Sequence, residues 1–291
     1  MTKYSKSVTS NRNRIVDKLF KAFALFCTGI GIILLAIFIF NIVKQGISLI
    51  DWDFLTNYSS RRATRAGILA GWSGSIWIFV LTAIIALPLG VAAGIYLEEY
   101  NKKSKLATLL EINISNLSGV PSVIYGLLGM TVFVYFFGFG QSLLAGAFTL
   151  ALMILPIIVV ATREALKAVP NTIREAAYGM GASKWQTIWT QVLPASIGGI
   201  ITGAILALSR ILGETAPLIL VGAAAAIRFT PKTPLDEFTV LPIQIYDWSK
   251  IPKEAFQDKA AAAIIVLLLI TFVLNGFAIY FRNKWQKKIN L

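Results

Sequence analysis

An arginine and a glutamate, Arg210 and Glu214, lie four residues apart in a strongly apolar stretch. On a helix this spacing puts both side chains on one face, where they can form an ion pair. A charge inside a bilayer costs roughly 2.5–3.5 kcal/mol on insertion scales, so it usually faces a cavity or a partner. The planar guanidinium suits an oxyanion such as phosphate or sulfate. The pair predicts a point on an anion pathway; the alternatives are a structural ion pair or an arginine near the edge of the span.

A polar segment between two apolar stretches carries signals for the start of a helix. Thr172 and Glu175 have the spacing of a capping box, which predicts a helix that begins near Ile173. Ala176 and Ala177 give this helix a face of small residues that another surface can approach closely. Two interpretations remain open: Glu175 contacts a partner, or it only caps the helix and the alanines are only good helix formers.

The same segment carries signals for a turn and a second helix. Gly179 and Gly181 are expected to end the first helix, because glycine readily adopts the conformations that terminate one. Ser183 and Gln186 have the spacing of a second capping box. The sequence therefore predicts two short helices joined by a glycine turn, the second running into the next apolar segment.

Polar residues are also frequent at the start of the third apolar stretch. For Asn116 and Ser122 we predict a role in lining a substrate pathway, since they flank Pro121 in an otherwise apolar region. For Glu111 we prefer a helix end that extends into the cytoplasm.

Composition identifies the class of protein and excludes several functions. The chain has 291 residues, is 56% hydrophobic, and contains repeated apolar runs of about 20 residues, which is the length that crosses a bilayer. It has no histidine and one cysteine, Cys27, so histidine catalysis, histidine metal sites and internal disulfides are excluded. No phosphate-binding Gly-x-x-x-x-Gly-Lys-Ser/Thr loop occurs, so any ATP must be hydrolysed by another chain. We predict no catalytic residue, no cofactor and no metal ion.

The apolar pattern predicts an all-α integral membrane protein with six transmembrane helices. Glycine pairs at Gly67/Gly71, Gly90/Gly94 and Gly199/Gly203 have the spacing that allows close helix contact; the alternative is chance, because glycine is common in membrane helices. The predicted spans are 19–43, 68–97, 106–137, 141–162, 188–221 and 260–281.

The distribution of charge predicts the orientation in the membrane. Most lysines and arginines lie in the two tails and in the two loops on the Glu175 side, whereas the loops of the other side are nearly balanced in charge. Both termini and the Glu175 loop are therefore expected in the cytoplasm, by the positive-inside rule. Because the net charge of +13 is spread over short loops and tails, it indicates lipid contact and no nucleic acid.

These assignments give a predicted domain organisation. The long extracytoplasmic loop is expected either to dock a binding protein or to anchor Tyr246 and Trp248 at the headgroups. The predicted segments are a cytoplasmic tail (1–18), a first transmembrane helix (19–43), an extracytoplasmic loop (44–67), a five-helix core (68–282) with a cytoplasmic coupling loop (163–187) and an extracytoplasmic loop (222–259), and a cytoplasmic C-terminal tail (283–291).

The Glu175 loop resembles the EAA loop of the membrane subunits of binding-protein-dependent ABC importers. The residues that fit the family pattern in register are Glu175-Ala176-Ala177, Gly181 and Leu193-Pro194. One of the seven signature positions differs from the pattern, because Gln191 stands where the family has isoleucine. Other segments resemble one family in particular, the PstA-type permease subunit of phosphate ABC importers, over roughly residues 65 to 282. These segments are Gly119–Gly129, Thr162–Pro170, Ser209–Pro217 and Leu241–Trp248.

The resemblance implies a MetI-like type I ABC importer transmembrane domain in the cytoplasmic (inner) membrane. It implies a heterodimer with a PstC-type sister permease, two copies of a cytoplasmic ATPase and an extracytoplasmic phosphate-binding protein. Glu175, Ala176, Ala177 and Gly181 would contact the ATPase and couple ATP binding to alternating access. Arg210 and Glu214 match charged positions that the family places on the phosphate path.

Two other functions compete with this one. A permease for another oxyanion, such as sulfate or molybdate, would share the loop. A secondary carrier or channel would work without ATP and would have no partner at Glu175.

Overall fold

The apolar runs of the sequence form long helices in the computed structural model, which describes residues 11–100 and 105–289. Several helices contain π-helical turns: α3 ends in one at Tyr96–Tyr100, α5 continues into one at Met130–Phe136, and α8 runs through Ile188–Val192 into α9. The helices are α1 (Asn11–Gly46), α2 (Trp52–Thr56), α3 (Leu69–Ile95), α4 (Lys105–Leu117), α5 (Ser122–Gly129), α6 (Leu143–Lys167), α7 (Asn171–Gly179), α8 (Lys184–Thr187), α9 (Leu193–Ile211), α10 (Ala216–Val221), α11 (Leu241–Lys250) and α12 (Glu254–Ile289).

Five helical segments in the described part of the chain are long and apolar enough to cross a membrane. A sixth apolar helix, Ser122–Phe136, is shorter. The all-α membrane architecture predicted from the sequence is therefore confirmed. The five long segments are Val16–Leu49, Leu69–Tyr100, Leu143–Lys167, Lys184–Ile211 and Glu254–Lys284.

The third predicted span, 106–137, is two helices rather than one. Helix α4 ends at Leu117, and α5 begins at Ser122 with Pro121 as its N-cap in an extended conformation. Proline lacks an amide hydrogen and disfavours helical backbone in the residue before it, so the helix cannot continue through this point. The 15-residue apolar segment that remains is about 22 Å long, less than the hydrocarbon thickness of a bilayer.

The fifth predicted span, 188–221, is also divided. Helix α9 ends at Ile211, and a turn leads into the short helix α10, which has Pro217 in its first turn. Proline is favoured there because the first amides of a helix have no intrahelical partner. Helix α10 packs against α5 and α6 instead of extending α9.

Helix α6 is the centre of the bundle, with α3 on one side and α9 on the other. Glycines of α3 and α9 lie directly against side chains of α6, where an added Cβ atom would clash. The predicted close contact is therefore confirmed for Gly90/Gly94 and Gly199/Gly203. It is wrong for Gly67/Gly71, because Gly67 precedes α3 and faces Asn57, and Gly71 faces Gln244 of α11. The facing residues are Gly90 and Ile158, Gly94 and Thr162, Gly199 and Ala165, and Gly203 and Ala161.

Helix α1 lies apart from this core, and its apolar window is wholly unburied. It is held near its end, where Gly46 lies against the backbone of Ala262 and Ile42 packs on α12. Its exposed apolar surface must be covered by lipid or by another apolar surface.

The segment predicted as an extracytoplasmic loop, 222–259, is largely packed into the protein. The amide of Leu241 donates to Ser75 Oγ at 2.9 Å, and Gln244 Nε2 donates to the carbonyl of Gly67 at 2.9 Å. Trp248 is buried beside Phe54, so the prediction that it anchors at the headgroups is wrong. Trp248 packs in the core instead, and its place in an apolar and aromatic segment did not distinguish a core residue from one at the membrane interface.

Three regions of the bundle matter for function. The Glu175 end comprises α7, α8 and the C-terminal ends of α3 and α6. The opposite end comprises α11 and the starts of α3 and α12, and the Arg210 region, which is the end of α9 with α10, lies between the two ends.

Candidate functional site

Helix α7 carries Glu175 and begins earlier than the capping-box pattern predicts. Pro170 is its N-cap, with φ −57° and ψ 139°, and the Pro170 carbonyl accepts the amide of Ile173 at 3.2 Å. Thr172 therefore lies inside the first turn and does not cap the helix, so the predicted first capping box is wrong. Because Glu175 does not cap this helix, the interpretation that it serves only as a cap is excluded.

The glycine turn and the second capping box are confirmed. Helix α7 ends at Gly179, and Gly181 has φ +85°, a left-handed conformation that favours glycine. The amide of Gln186 donates to Ser183 Oγ at 3.3 Å, and the amide of Ser183 donates to Gln186 Oε1 at 2.8 Å. These local bonds fix the direction in which α8 leaves the turn.

The predicted coupling residues divide between the two faces of the loop. Glu175, Ala176 and Gly181 are exposed, whereas Ala177 is buried. Ala177 therefore seats α7 on the bundle, and the other three present a surface outward.

Apolar side chains enlarge that outward surface. Tyr178 and Trp185 are exposed, and Met180 is 83% exposed. A cluster of exposed apolar side chains on a polar loop is typical of a surface that binds another protein. We call the surface formed by Glu175, Ala176, Tyr178, Met180 and Gly181 the docking surface.

A buried ion pair fastens α7 to α3. Arg174 Nη2 lies 2.6 Å from Glu99 Oε1, and the two side chains are only 13% and 7% exposed. The same guanidinium donates to the carbonyls of Val169 at 2.8 Å and Leu166 at 3.0 Å. The sequence does not reveal this contact, since 75 residues separate the partners.

A second arginine joins three helices at the same end. Arg163 of α6 lies 2.9 Å from Glu111 of α4 and 3.6 Å from the buried carboxylate of Glu98 at the end of α3. The hydrogen bond from Arg163 holds the pKa of Glu111 below its usual value. The signal available in the sequence was the acidic pair Glu98-Glu99 at the end of an apolar span, facing basic residues of the same side.

Arg210 and Glu214 form the predicted ion pair, with Arg210 Nε 3.2 Å from Glu214 Oε1. The arginine side chain is 45% exposed and the glutamate 17% exposed, so water or a ligand can reach the pair. Glu214 lines a narrow crevice together with Ser75 and Pro242.

The pair lies near the middle of the depth of the bundle. Gly199 and Gly203 of α9 face Ala165 and Ala161 of α6, so α9 carries Arg210 to a level near the centre of α6. Ser209, next to Arg210, contacts Asn275 well inside α12. This packing agrees with the expected position of the pair deep in the apolar run.

A polar contact next to the pair was not predicted. Ser209 Oγ and Asn275 Oδ1 of α12 lie 2.6 Å apart, and Ser209 also donates to the carbonyl of Ile205. Asn275 thus brings α12 to the arginine end of α9.

Asn116 and Ser122 flank the break between α4 and α5. Asn116 is exposed and Ser122 is half-buried at the first position of α5. Among the hydrogen bonds of the described residues, neither side chain bonds to Arg210 or Glu214. Their role in lining a pathway stays a prediction.

Comparison with known proteins gives consistent matches over most of the chain. Residues 86–287 match the family described as binding-protein-dependent transport system inner membrane component. The chain is 33% identical over 273 residues to the probable ABC transporter permease protein YqgI of Bacillus subtilis, covering 88% of this chain and 92% of the relative. It is 34% identical to the phosphate transport system permease protein PstA of Haemophilus influenzae (88% and 90%) and 35% identical to that of Yersinia pestis (92% and 88%).

Solved structures show the same fold at low sequence identity. A chain of the inward-facing MetNI methionine ABC transporter aligns with a TM-score of 0.60 and 17% identity, covering 75% of this chain and 95% of that chain. A chain of a bacterial alginate ABC transporter aligns with a TM-score of 0.67 and 16% identity, covering 93% and 96%. The MetI-like type I importer fold predicted from the sequence is therefore confirmed, and this multi-pass membrane protein belongs to the PstA-type permeases of the binding-protein-dependent transport system inner membrane components.

Proposed function

We propose that this chain is the permease subunit of an ATP-driven importer that moves inorganic phosphate across the cytoplasmic membrane by alternating access. The observation that carries the proposal is the docking surface at the Glu175 end. It exposes apolar and acidic side chains while its other face is fixed to the bundle by Arg174 and Glu99. A movement imposed on that surface would therefore be passed to α3 rather than absorbed by a flexible loop.

The proposed partner at this surface is a cytoplasmic ATPase, present in two copies. The chain lacks a phosphate-binding loop of its own, so the energy of ATP must come from another subunit. Relatives named as ABC transporter permeases support this division of labour. A PstC-type sister permease and an extracytoplasmic phosphate-binding protein complete the proposed assembly, with both termini of this chain in the cytoplasm.

Arg210 and Glu214 form the proposed charged binding site on the phosphate path. In the absence of substrate, Glu214 satisfies the guanidinium at 3.2 Å. A phosphate oxyanion can replace the carboxylate, because both offer oxygens that a guanidinium fork binds in the same geometry. Since the pair is local and partly exposed, exchanging its partner requires no rearrangement of the core. The phosphate transport names of several relatives support this substrate.

The test is uptake of radiolabelled phosphate at low external concentration by cells that lack other phosphate carriers. Native chain, Glu175→Lys and a matched control, Asp17→Lys on α1, are expressed to equal levels. We expect uptake that survives collapse of the ion gradient, is lost in Glu175→Lys and is retained in Asp17→Lys.

Two results would overturn parts of the proposal. If phosphate uptake does not depend on the chain, phosphate is not its substrate, and sulfate is the next substrate to test. Normal uptake by the expressed Glu175→Lys variant would remove the coupling role of Glu175.

A further inference from the structure

A second cationic site lies at the end of the bundle opposite Glu175, in a cavity of about 380 Å³. Three segments that are distant in sequence contribute basic residues to its lining: Arg61 from the loop after α2, Arg228 from the loop after α10, and Lys253 just before α12. Ser59 and Ser60 also line it. Guanidinium, ammonium and hydroxyl donors are the groups that bind an oxyanion.

The three basic side chains have no protein partner among the residues that the structure describes. None of them lies within 4.0 Å of a carboxylate or donates a side-chain hydrogen bond to protein there. All three residues are exposed and so can meet a ligand from solution. An anion in the cavity would give these cations the partner that the described protein does not supply.

The wall of the cavity is rigid on its apolar side. Trp248 and Phe256 line it and pack together, with ring centroids 6.2 Å apart. Phe54 supports Trp248 from behind at 6.3 Å. The cations are thus presented beside a fixed surface, which favours binding because less of the site must be ordered when the ligand arrives.

One carboxylate, Asp247, also lines the cavity. A carboxylate among cations repels a fully deprotonated anion but accepts a hydrogen bond from one that still carries a proton. Hydrogenphosphate carries such a proton at neutral pH, whereas sulfate and a phospholipid phosphodiester do not. Asp247 therefore selects by chemistry within the class of oxyanions.

We propose that this cavity binds a protonated tetrahedral oxyanion, inorganic phosphate in particular, at the mouth of the transport path. The choice of phosphate rests on the proposed function, whereas the anion site itself rests on the cavity. Pro242, which borders Glu214, and Trp248, which borders the cavity, are six residues apart on α11, or about 9 Å. A path from the cavity to Arg210 would therefore run along α11 and past Glu214.

The test is equilibrium binding of radiolabelled inorganic phosphate to the whole importer complex, without ATP or binding protein, in phosphatidylcholine nanodiscs. Arg61→Gln and Arg228→Gln are compared with Arg62→Gln, the adjacent arginine that does not line the cavity. We expect each cavity variant to weaken phosphate binding about tenfold or more, because one charge-assisted bond is lost, and Arg62→Gln to bind like the native complex. In the native complex, a tenfold excess of sulfate should displace little of the bound phosphate. In the complex with Asp247→Asn, the same excess should displace most of it.

The possible results separate this inference from the proposed function. If the chain supports phosphate uptake but Arg61→Gln and Arg228→Gln bind phosphate like Arg62→Gln, the cavity proposal is overturned and the transport proposal stands. If uptake does not need the chain yet the expected binding pattern appears, the cavity site stands and the transport proposal fails. If phosphate binding is lost in nanodiscs that contain phosphatidylglycerol, the cavity binds lipid headgroups. That result would overturn the proposal that it binds free phosphate.

Discussion

The Glu175 end and the Arg210 region handle charge in opposite ways. At the Glu175 end the arginines pair with carboxylates of other helices, and Arg174 and Glu99 are almost entirely buried. In the Arg210 region the pair is formed within one chain segment, four residues apart, and the arginine side chain is 45% exposed. A buried pair between helices behaves as a fixed joint, whereas an exposed local pair can exchange its partner. The difference matches a molecule that receives force at one end and handles an anion midway along the bundle.

The largest expected effect comes from breaking the joint. Arg174→Met would leave the carboxylate of Glu99 buried without its partner, which costs about 3–5 kcal/mol in comparable buried pairs. We expect less assembled importer, lower thermal stability and loss of uptake, measured by yield, thermal unfolding and phosphate accumulation.

The matched control for the joint is Lys167→Met. Its pair with Glu164 spans three residues and is exposed, so its removal should cost less than about 1 kcal/mol. Equal stability of the Arg174 and Lys167 variants would show that the Arg174 pair is not a structural joint.

Next in size is the contact between α6 and α9, which joins the Glu175 end to the Arg210 region. Gly203→Ala would place a methyl group against the side chain of Ala161, an overpacking that typically costs about 1–3 kcal/mol. Gly276→Ala on α12 is the control, because nothing lies within 4 Å of the added group. Thermal unfolding should show a lower stability for Gly203→Ala than for Gly276→Ala. If Gly203→Ala is as stable as the native protein, α6 and α9 can move apart at this contact at little cost.

In the Arg210 region we expect a loss of activity without a loss of assembly. Arg210→Gln should lower phosphate uptake about tenfold or more, because a charged hydrogen-bond donor is removed, while the amount of assembled complex stays the same. Arg65→Gln, another exposed arginine, should leave uptake unchanged. A drop in assembly that accounts for the lost uptake would make the pair structural.

The smallest effect concerns Glu111, whose pKa is lowered by its hydrogen bond from Arg163. A lowered pKa means that the pair stabilises the protein above the ordinary pKa of the carboxyl and that this contribution is lost as the pH falls through the lowered value. Because the Glu111 side chain is 47% exposed, the contribution is under about 0.5 kcal/mol. Native protein and Glu111→Gln should differ slightly in thermal stability at neutral pH and converge in acid; a constant difference would contradict the pairing.

Local patterns in the sequence predicted local structure well. Ser183 and Gln186 form the capping box because both partners lie within one turn. Gly90 and Gly203 mark close helix contacts because helices can approach only where side chains are absent. The Arg210–Glu214 pair follows from four-residue spacing alone.

Features that depend on the rest of the fold could not be predicted in the same way. Pro170 starts α7 early and displaces the apparent cap at Thr172. Apolar composition does not distinguish one span from two helices around Pro121 or Ile211, since both sides of each break are buried or face lipid. The partner of Arg174 is 75 residues away, a distance that no spacing rule covers.

The most direct test of the difference between the Glu175 end and the Arg210 region is to compare two variants in one reconstituted importer. The whole complex, with native chain, Glu175→Lys or Arg210→Gln, is assayed in proteoliposomes for ATPase retention and phosphate transport. The account predicts that Arg210→Gln retains the ATPase but transports about tenfold less, and that Glu175→Lys loses transport because its hold on the ATPase is impaired. Loss of the ATPase in Arg210→Gln, or full transport by Glu175→Lys, would contradict it.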